Sequence, residues 1–262
     1  MVPLCGIIGG KMVHFVGAGS GAVDLITVRG KNHLESADVI IYAGSLVNKE
    51  LLNYARKDCV IHDSATMTLE EVLEVVVSAN KDNKKIVRLH TGDSSIYGAI
   101  KEQMVELDKL GIEYDVCPGV SAFCGAAASL KAEYTLPDVS QTVIITRMSG
   151  KTLVPEKESI ASLAAHQATM ILFLSTGLLE ELQVELIRGG YSPDTPAAIV
   201  YKATWEDEKI CYCTVSTLAE TAKSNNITKT ALITVGHFLG NDFSRSKLYD
   251  PTFTTEFREA KK

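Results

Sequence analysis

The 262-residue sequence predicts an α/β fold built from two α/β domains. Short apolar segments alternate with segments whose apolar residues recur on one helical face, which is the pattern of layered strands and helices. The length suggests about two domains, and the turn Cys117-Pro118-Gly119 offers a boundary between them. We therefore predict an N-terminal domain over residues 12–118, a C-terminal domain over 119–240 and a surface tail over 241–262.

Start and stop signals place the elements of the first domain. Thr68 and Glu71 have capping-box spacing at the start of a helix, Gly111 ends the helix that contains Met104, and Asp24 is the expected N-cap of the first helix. Strands are predicted over residues 12–17, 39–42, 86–87 and 112–116, and helices within 24–36, over 68–80 and before 111. Residues 1–11 are expected to form a flexible N-terminal extension.

The second half of the chain shows the same alternation. A helix rich in alanine is predicted over residues 120–130, and another over 178–188 ends at Gly189-Gly190. A further helix is expected to begin near Thr217, because Glu220 stands three residues later. Strands are predicted over residues 143–146, 170–174, 197–201, 210–214 and 231–236.

Composition excludes several classes of function. The net charge of -6 argues against broad binding of nucleic acid or of an anionic membrane surface, since both require a basic field. No apolar run reaches the roughly 18 residues of a membrane-spanning helix. The six cysteines form no CxxC pair and the six histidines no HxH or HxxxH pair, so we expect reduced thiols, a cytoplasmic location and no dedicated metal site.

The segment from Arg88 to Ala99 is predicted to be a ligand-binding loop. It joins a buried strand to a one-sided helix, so its polar groups fall at the carboxyl end of a strand, where open α/β sheets bind small molecules. Asp93 offers a carboxylate to an amine or a sugar hydroxyl, and Gly92 lets a ligand approach the backbone. The alternative is an ordinary turn in which Asp93 or a serine caps the helix.

A glycine loop, Gly17-Ala18-Gly19-Ser20-Gly21-Ala22, follows the first strand and matches the GxGxxA pattern of dinucleotide-binding folds. Such a fold also needs an acidic residue at the end of the second strand. Here Asp38 precedes that strand, which ends at Tyr42-Ala43-Gly44. An NAD(P)-dependent oxidoreductase therefore remains an alternative rather than the first interpretation.

Four separated segments resemble the tetrapyrrole methyltransferases of cobalamin biosynthesis, and the resemblance extends over nearly the whole chain from Met12. The segments are Phe15–Thr27, Val87–Asp93, Pro118–Ala122 and Val200–Trp205. Within the family, three features are most similar to the precorrin-4 C11-methyltransferase branch. They are His90-Thr91-Gly92-Asp93 with Tyr97-Gly98-Ala99, the segment Gln141–Arg147, and Tyr201-Lys202-Ala203-Thr204-Trp205.

The resemblance implies the tetrapyrrole methylase-like fold of the class III methyltransferases, with mixed sheets and a cofactor cleft between the two domains. It further implies a homodimer that methylates a tetrapyrrole with S-adenosylmethionine and releases S-adenosylhomocysteine. The cofactor-binding residues carried over by position are Gly17, Gly19, Ser20, Thr91, Gly92, Asp93, Ile96, Tyr97, Ser121, Ala122, Leu174 and Ala203.

A corrin precursor carries several carboxylates, so cations are expected beside it. The candidate substrate-binding residues are Arg88, Arg147, Lys202 and Trp205. No catalytic residue is assigned, because methyl transfer depends mainly on alignment of donor and acceptor; Asp93, His90 and Tyr97 are candidates for a general base. A related S-adenosylmethionine enzyme with a different substrate is the other alternative, and the acidic net charge argues against RNA as that substrate.

Overall fold

The structure is a computed structural model and describes residues 12–261; the expected extension over residues 1–11 lies outside the described part. The chain forms two compact units. The first extends to Gly125 and includes Thr204–Glu206, and the second comprises Ala126–Ala203 and the chain from Asp207 onward. The domain limits at residues 118 and 240 stay a prediction from the sequence.

The first unit alternates strands and helices in the order that the sequence predicts. Its elements are β1 (Val13–Gly17), α1 (Val28–Ser36), β2 (Val39–Tyr42), β3 (Val60–Asp63), α2 (Leu69–Lys81), β4 (Ile86–His90), α3 (Ile100–Leu110), β5 (Tyr114–Cys117) and the start of α4 (Ala122–Leu130). Strand β3 was not predicted. It lies at the edge of the sheet and is half-exposed, so its apolar pattern is weak.

The five strands form a parallel sheet in the order β3-β2-β4-β1-β5. Strand β1 lies between β4 and β5, with Val13 in register with both Ile86 and Tyr114. Because the strands are parallel, the loops that follow β4, β1 and β5 leave the same edge of the sheet next to one another. This edge is where parallel sheets bind ligands.

Local signals account for most of the helix boundaries in this unit. The Thr68 hydroxyl accepts from the Glu71 amide at 3.3 Å while the Glu71 carboxylate accepts from the Thr68 amide at 2.7 Å, which completes the predicted capping box of α2. Gly111 ends α3 in the left-handed conformation, at φ 65°. Asp24 was wrongly assigned as a cap: α1 begins after Thr27, whose hydroxyl accepts from Gly30 N at 3.0 Å.

Apolar residues cover both faces of the first sheet. Val16 and Leu89 pack with Leu34 of α1 on one face, whereas Phe15 and Ile86 pack with residues of α2 and α3 on the other. This follows from the alternation of side chains along a strand. A parallel sheet covered on both faces holds its loops on a rigid support.

The second unit has its own sheet and helices. Its elements are β6 (Val143–Arg147), α5 (Ile160–Ala164), β7 (Thr169–Phe173), α6 (Leu179–Arg188), β8 (Pro196–Tyr201), β9 (Lys209–Thr214), α7 (Leu218–Ser224) and β10 (Ala231–Val235). The strand order is β6-β7-β10-β8-β9. Strands β6 and β7 are parallel and the other pairs are antiparallel, so the prediction of a mixed sheet is confirmed for this unit.

Two local features of this unit differ from what the sequence predicts. The five-residue helix α5 was not predicted, because it is too short to show a helical period. Helix α7 begins at Leu218, which confirms the expected start near Thr217, but the capping box with Glu220 does not form. The Thr217 hydroxyl instead accepts from Thr214 N at 3.0 Å, in a cap formed with Thr214. The core of this unit packs α5, α6 and α7 against the sheet. Among residues 12–261, no helix combines the length and the apolar character needed to cross a membrane.

Candidate functional site

The loops after β1 and β4 are joined by a short backbone bridge at the carboxyl edge of the first sheet. Gly19 N donates to Gly92 O at 3.2 Å, and Gly92 N donates to Gly19 O at 3.0 Å. Ala18 N also donates to His90 O at 2.7 Å. Both Gly19 and Gly92 have left-handed backbones, with φ of 87° and 61°, a region that residues with a Cβ rarely adopt. The two predicted glycine positions are therefore brought together.

A third loop, which follows β5, packs directly on these two. A Cβ added to Gly119 would lie 2.2 Å from Gly92 O and 2.7 Å from the Gly17 Cα. A Cβ added to Gly17 would lie 2.6 Å from Gly119 Cα. Since all of these neighbours are backbone atoms, no side-chain rotation relieves the overlap. The absence of side chains at Gly17 and Gly119 is thus what allows the three loops to meet.

Asp93 ties the β4 loop to the β5 loop. Its Oδ2 accepts from Gly119 N at 2.8 Å, and its Oδ1 accepts from Ser95 N at 2.9 Å and from Ser95 Oγ at 2.5 Å. Burial alone would raise the pKa of the Asp93 carboxyl, but the hydrogen bonds from Ser95 and Gly119 outweigh it and hold the pKa below its ordinary value. Asp93 is therefore ionised at neutral pH and both of its oxygens are engaged within the chain.

The glycine loop after β1 is held by side chains from distant parts of the sequence. Thr204 Oγ1 accepts from Ala22 N at 3.1 Å and is hydrogen-bonded to Ser20 Oγ at 3.0 Å. Asn48 Nδ2 donates to Gly21 O at 3.0 Å. Thr204 and Asn48 were not among the predicted site residues. Thr204 lies in Val200–Trp205, one of the four segments that carry the family resemblance. No local spacing in the sequence indicates the role of Thr204 or of Asn48.

The remainder of the β4 loop, from Thr91 to Ala99, has an unusual backbone. Tyr97 and Ala99 both have positive φ, at 55° and 50°, a conformation that costs residues other than glycine on the order of 1 kcal/mol or more. His90 and Ser94 are buried, and neither His90 Nε2 nor Ser94 Oγ has a hydrogen-bond partner among the described residues. Strained backbone of this kind clusters at active sites and ligand-binding sites, and a buried polar atom without a partner is a candidate for contact with a ligand or water.

The other predicted cofactor residues lie as follows. Ser121 is buried and Ala122 partly buried at the start of α4, where both are close to Gly92. Thr91 and Ile96 are partly buried, and Tyr97 is 46% exposed. Leu174 and Ala203 belong to the second unit, where Leu174 is exposed with φ 51° and Ala203 is buried.

Arg88 does not fit its predicted role as a ligand of a substrate carboxylate. Its side chain is buried, its Nε donates to Gln103 Oε1 at 3.0 Å, and its Nη1 donates to Ile41 O at 3.0 Å. Burial lowers the pKa of Arg88 to about 10, so the guanidinium stays charged at neutral pH. It links β4 to α3 and β2 inside the first unit and is corrected to a structural residue.

The remaining substrate candidates have partners within the second unit or beside the glycine loop. Arg147 uses three of its five donors on the carbonyls of Met148, Thr152 and Leu153. Lys202 Nζ lies 2.5 Å from Asp207 Oδ2, and this hydrogen bond raises the pKa of Lys202. Trp205 is partly buried in the first unit, next to Thr204.

The geometry disfavours a dinucleotide site in the first unit. Asp38 stands before β2, where its carboxylate accepts from Lys85 N at 2.7 Å and from Arg56 at 2.6 Å. It therefore lies at the amino end of the sheet, away from the glycine loops. Helix α1 begins only at Val28, so its N-terminal amides are not presented directly after the glycine loop, as pyrophosphate binding requires.

Comparison with known proteins gives a consistent picture. The family described as Tetrapyrrole (Corrin/Porphyrin) Methylases matches residues 12–219, a range that contains all three loops and Thr204. The Cobalt-precorrin-4 C(11)-methyltransferase of Methanocaldococcus jannaschii is 54% identical over 253 residues, or 96% of this chain and 98% of that protein. The Precorrin-4 C(11)-methyltransferase of Mycobacterium tuberculosis is 42% identical over 239 residues, or 90% of this chain and 95% of that protein.

A solved structure agrees with these relatives. The X-ray structure of a cobalamin biosynthetic enzyme, cobalt precorrin-4 methyltransferase CbiF, matches with a TM-score of 0.87 at 43% identity. The match covers 91% of this chain and 100% of that chain.

Proposed function

This chain belongs to the tetrapyrrole (corrin/porphyrin) methylase family, and from that premise we propose that it is an S-adenosylmethionine-dependent methyltransferase acting on C-11 of precorrin-4 or cobalt-precorrin-4 in cobalamin biosynthesis. The observation that carries the proposal is the junction of the three glycine-bearing loops at the carboxyl edge of the first sheet. The oxidoreductase alternative is not favoured, because the first sheet has no acidic residue at the end of β2.

The residues at the junction fit S-adenosylmethionine. Gly17 and Gly119 let the backbones of the loops pack directly on one another, and the left-handed backbones of Gly19 and Gly92 form the bridge between two of them. His90 Nε2 and Ser94 Oγ are buried polar atoms without a partner among the described residues, as expected of groups that a polar ligand completes. We propose that the cofactor contacts are Gly17, Gly19, Ser20, Thr91, Gly92, Asp93, Ile96, Tyr97, Ser121, Ala122, Leu174 and Ala203.

The bound cofactor supplies an electrophilic methyl group on a sulfonium sulfur. The chain's part is to hold donor and acceptor carbon in line and to exclude water, and in the best-oriented systems such positioning contributes about 7–11 kcal/mol. Loops held by the hydrogen bonds of Asp93 and Thr204 and by the Gly19–Gly92 bridge are suited to this role because these bonds restrict their movement.

We assign no general base to the reaction. Burial, together with the nearby charge of Arg88, lowers the pKa of His90 to about 3, and so weak a base accepts protons poorly at neutral pH. Asp93 already accepts three hydrogen bonds within the chain. Of the three candidates for a general base, Tyr97 remains, and its side chain is 46% exposed.

We propose that Arg147, Lys202 and Trp205 contact the tetrapyrrole. Arg147 keeps donors beyond the three used on backbone carbonyls, and Lys202 shares its charge with Asp207. The matched test compares Arg147→Gln with Arg188→Gln, since Arg188 is a cation paired with Glu185 on the surface of α6. A raised KM for the tetrapyrrole in the first variant alone supports the assignment, and equal KM values in both contradict it.

The activity itself is tested with the purified chain and S-adenosylmethionine that carries a ¹³C methyl group. Cobalt-precorrin-4, precorrin-4 and uroporphyrinogen III are supplied in separate reactions, and the labelled carbon is located by NMR. The proposal expects label at C-11 of a precorrin-4 substrate. Label on uroporphyrinogen III alone, or at another carbon, would identify a related methyltransferase instead.

The reactions with cobalt-precorrin-4 and with precorrin-4 test which of the two substrates the enzyme prefers. The 54% identical relative is named for the cobalt form and the 42% identical one for the metal-free form, so we propose that cobalt-precorrin-4 is preferred. A higher kcat/KM for precorrin-4 would reverse this preference without affecting the site of methylation.

We also propose that the chain works as a cytoplasmic homodimer without nucleic-acid or membrane partners. The five cysteines in the described residues are free thiols, as is usual in a reducing compartment. Light scattering of the purified protein tests the assembly, and the expected mass is twice the 28.3 kDa of one chain.

A further inference from the structure

Three side chains with metal-ligating atoms meet on the first unit at a distance from the glycine loops. They are His14 on β1, Asp115 on β5 and His33 on α1. His14 Nδ1 lies 2.7 Å from Asp115 Oδ1, and the rings of His14 and His33 are stacked with their centroids 4.1 Å apart. One ligand atom from each residue lies within 4.8 Å of the other two.

The fold brings these residues together although the sequence separates them. His14 and Asp115 are register partners on neighbouring strands. His14 shares a face of β1 with Val16, and Val16 packs against Leu34, the residue that follows His33 on α1. The spacing in the sequence gives no metal motif, which is why no metal site was expected there.

The state of His33 points to a ligand. Its Nε2 atom is buried and has no hydrogen-bond partner among the described residues. The positive charges of Lys85 and Arg29 lie near His33; they act against a bound cation and limit its affinity.

We propose that His14, His33 and Asp115 form a binding site for a divalent transition metal, with Zn²⁺ as the best match. Two imidazole nitrogens and one carboxylate oxygen are a common three-residue set for zinc, with a water molecule as the fourth ligand. His14 precedes Gly17 by three residues in the same strand, a separation of about 10 Å. The site is therefore distinct from the proposed methyl-transfer site, and its effect is to clamp α1 onto β1 and β5.

The first test titrates Zn²⁺ into the full chain after removal of metal by a chelator and exchange into a non-chelating buffer. The proposal expects one strong site per chain in the calorimeter. Asp115→Asn and His33→Gln should each weaken it by about tenfold or more. The matched control is His166→Gln, an exposed histidine of the second unit, which should bind Zn²⁺ as the unmodified chain does.

Free thiols also bind zinc, so a second measurement separates them from the histidine cluster. Cys59, Cys117, Cys124, Cys211 and Cys213 are reduced, and Co²⁺ bound by thiolates gives an intense sulfur-to-metal charge-transfer band in the near ultraviolet. Co²⁺ bound by two histidines and an aspartate gives visible ligand-field bands without that band. This spectrum is measured on the unmodified chain, so the test remains valid even if a variant folds poorly.

Three results would overturn the proposal: no binding of Zn²⁺ to the unmodified chain, equal binding in the His33→Gln and Asp115→Asn variants, or a charge-transfer band typical of thiolates. Binding of S-adenosylhomocysteine serves as the fold check for each variant. Because the cluster lies apart from the glycine loops, loss of Zn²⁺ should leave that binding intact.

Discussion

The close packing of the three loops predicts that a single methyl group at Gly119 disrupts the site. In Gly119→Ala the new Cβ would lie 2.2 Å from Gly92 O and 2.7 Å from the Gly17 Cα, whereas ordinary contacts begin at 3.4 Å. Both neighbours are backbone atoms, so one of the loops must move. Overpacking of this kind costs roughly 1–3 kcal/mol, and we expect about 3 kcal/mol because no side chain can yield.

The assay follows the sole tryptophan of the sequence, Trp205, which belongs to the same unit as the loops. Urea unfolding monitored by its fluorescence should show a lower midpoint for Gly119→Ala, with the slope of the transition unchanged. The hydrogen bond from Gly119 N to Asp93 is stretched by the same movement. Calorimetry should therefore show a loss of S-adenosylhomocysteine affinity of about tenfold or more, which corresponds to about 1.4 kcal/mol.

Gly177→Ala is the matched control. A Cβ there meets nothing within 4 Å, and Gly177 has no positive φ. The added methyl should leave stability unchanged or raise it by up to about 1 kcal/mol, with ligand affinity intact. If Gly119→Ala unfolds and binds like Gly177→Ala, the three loops do not pack as described and the site assignment fails.

Four further predictions follow from individual contacts. Asp93→Ala should weaken S-adenosylhomocysteine binding far more than Lys151→Ala, an exposed residue; equal heats in calorimetry would contradict the loop assignment. The pKa of Asp93 is lower in the folded protein than its ordinary value. Its carboxylate therefore stabilises the fold at pH values above the ordinary pKa of about 3.9, and this contribution is lost as the pH falls through the pKa of Asp93 in the folded protein. The difference in the free energy of unfolding between the unmodified chain and Asp93→Asn, measured with urea, should therefore be constant near neutral pH and shrink below about pH 4. Arg88→Met should cost about 2–3 kcal/mol by loss of two buried charged hydrogen bonds without raising the tetrapyrrole KM, and a raised KM with normal stability would restore the substrate role. Thr204→Val removes the hydrogen bonds to Ser20 and Ala22. It should lower the free energy of unfolding by about 1–2 kcal/mol and weaken cofactor binding. Unchanged cofactor affinity in calorimetry would show that Thr204 does not contribute to the site.

Most regular elements could be predicted because their signals are local. The capping box of α2 involves residues three apart, and the glycine that ends α3 supplies a left-handed backbone at its own position. The assignment of Asp24 as the first helix cap was wrong, since Asp and Thr are both residue types that cap helices and the cap of α1 is Thr27. A short 3-10 turn at Val23–Leu25 contains Asp24, so α1 begins only after Thr27.

The candidate site could be predicted in part. The glycine loop after β1 and the Gly92-Asp93 pair are visible as turns at strand ends, and the structure brings them together. The assignment of Arg88 was wrong because the sequence shows a cation beside a polar loop, but not that β4 directs it into the interior. Thr204 was missed because its partner Ser20 lies 184 residues away.

By itself, the sequence determined the α/β class, the alternation of elements, most helix ends and, through its resemblance, the family to which the chain belongs. Capping, periodicity and turn formation act over a few residues, so the order of residues is enough to show them. The tertiary structure alone decided which loops meet at Gly119, that Arg88 is buried, and that His14, His33 and Asp115 form one cluster. Each of these depends on contacts between residues distant along the chain, and such contacts exist only after the strands have taken their order in the sheet.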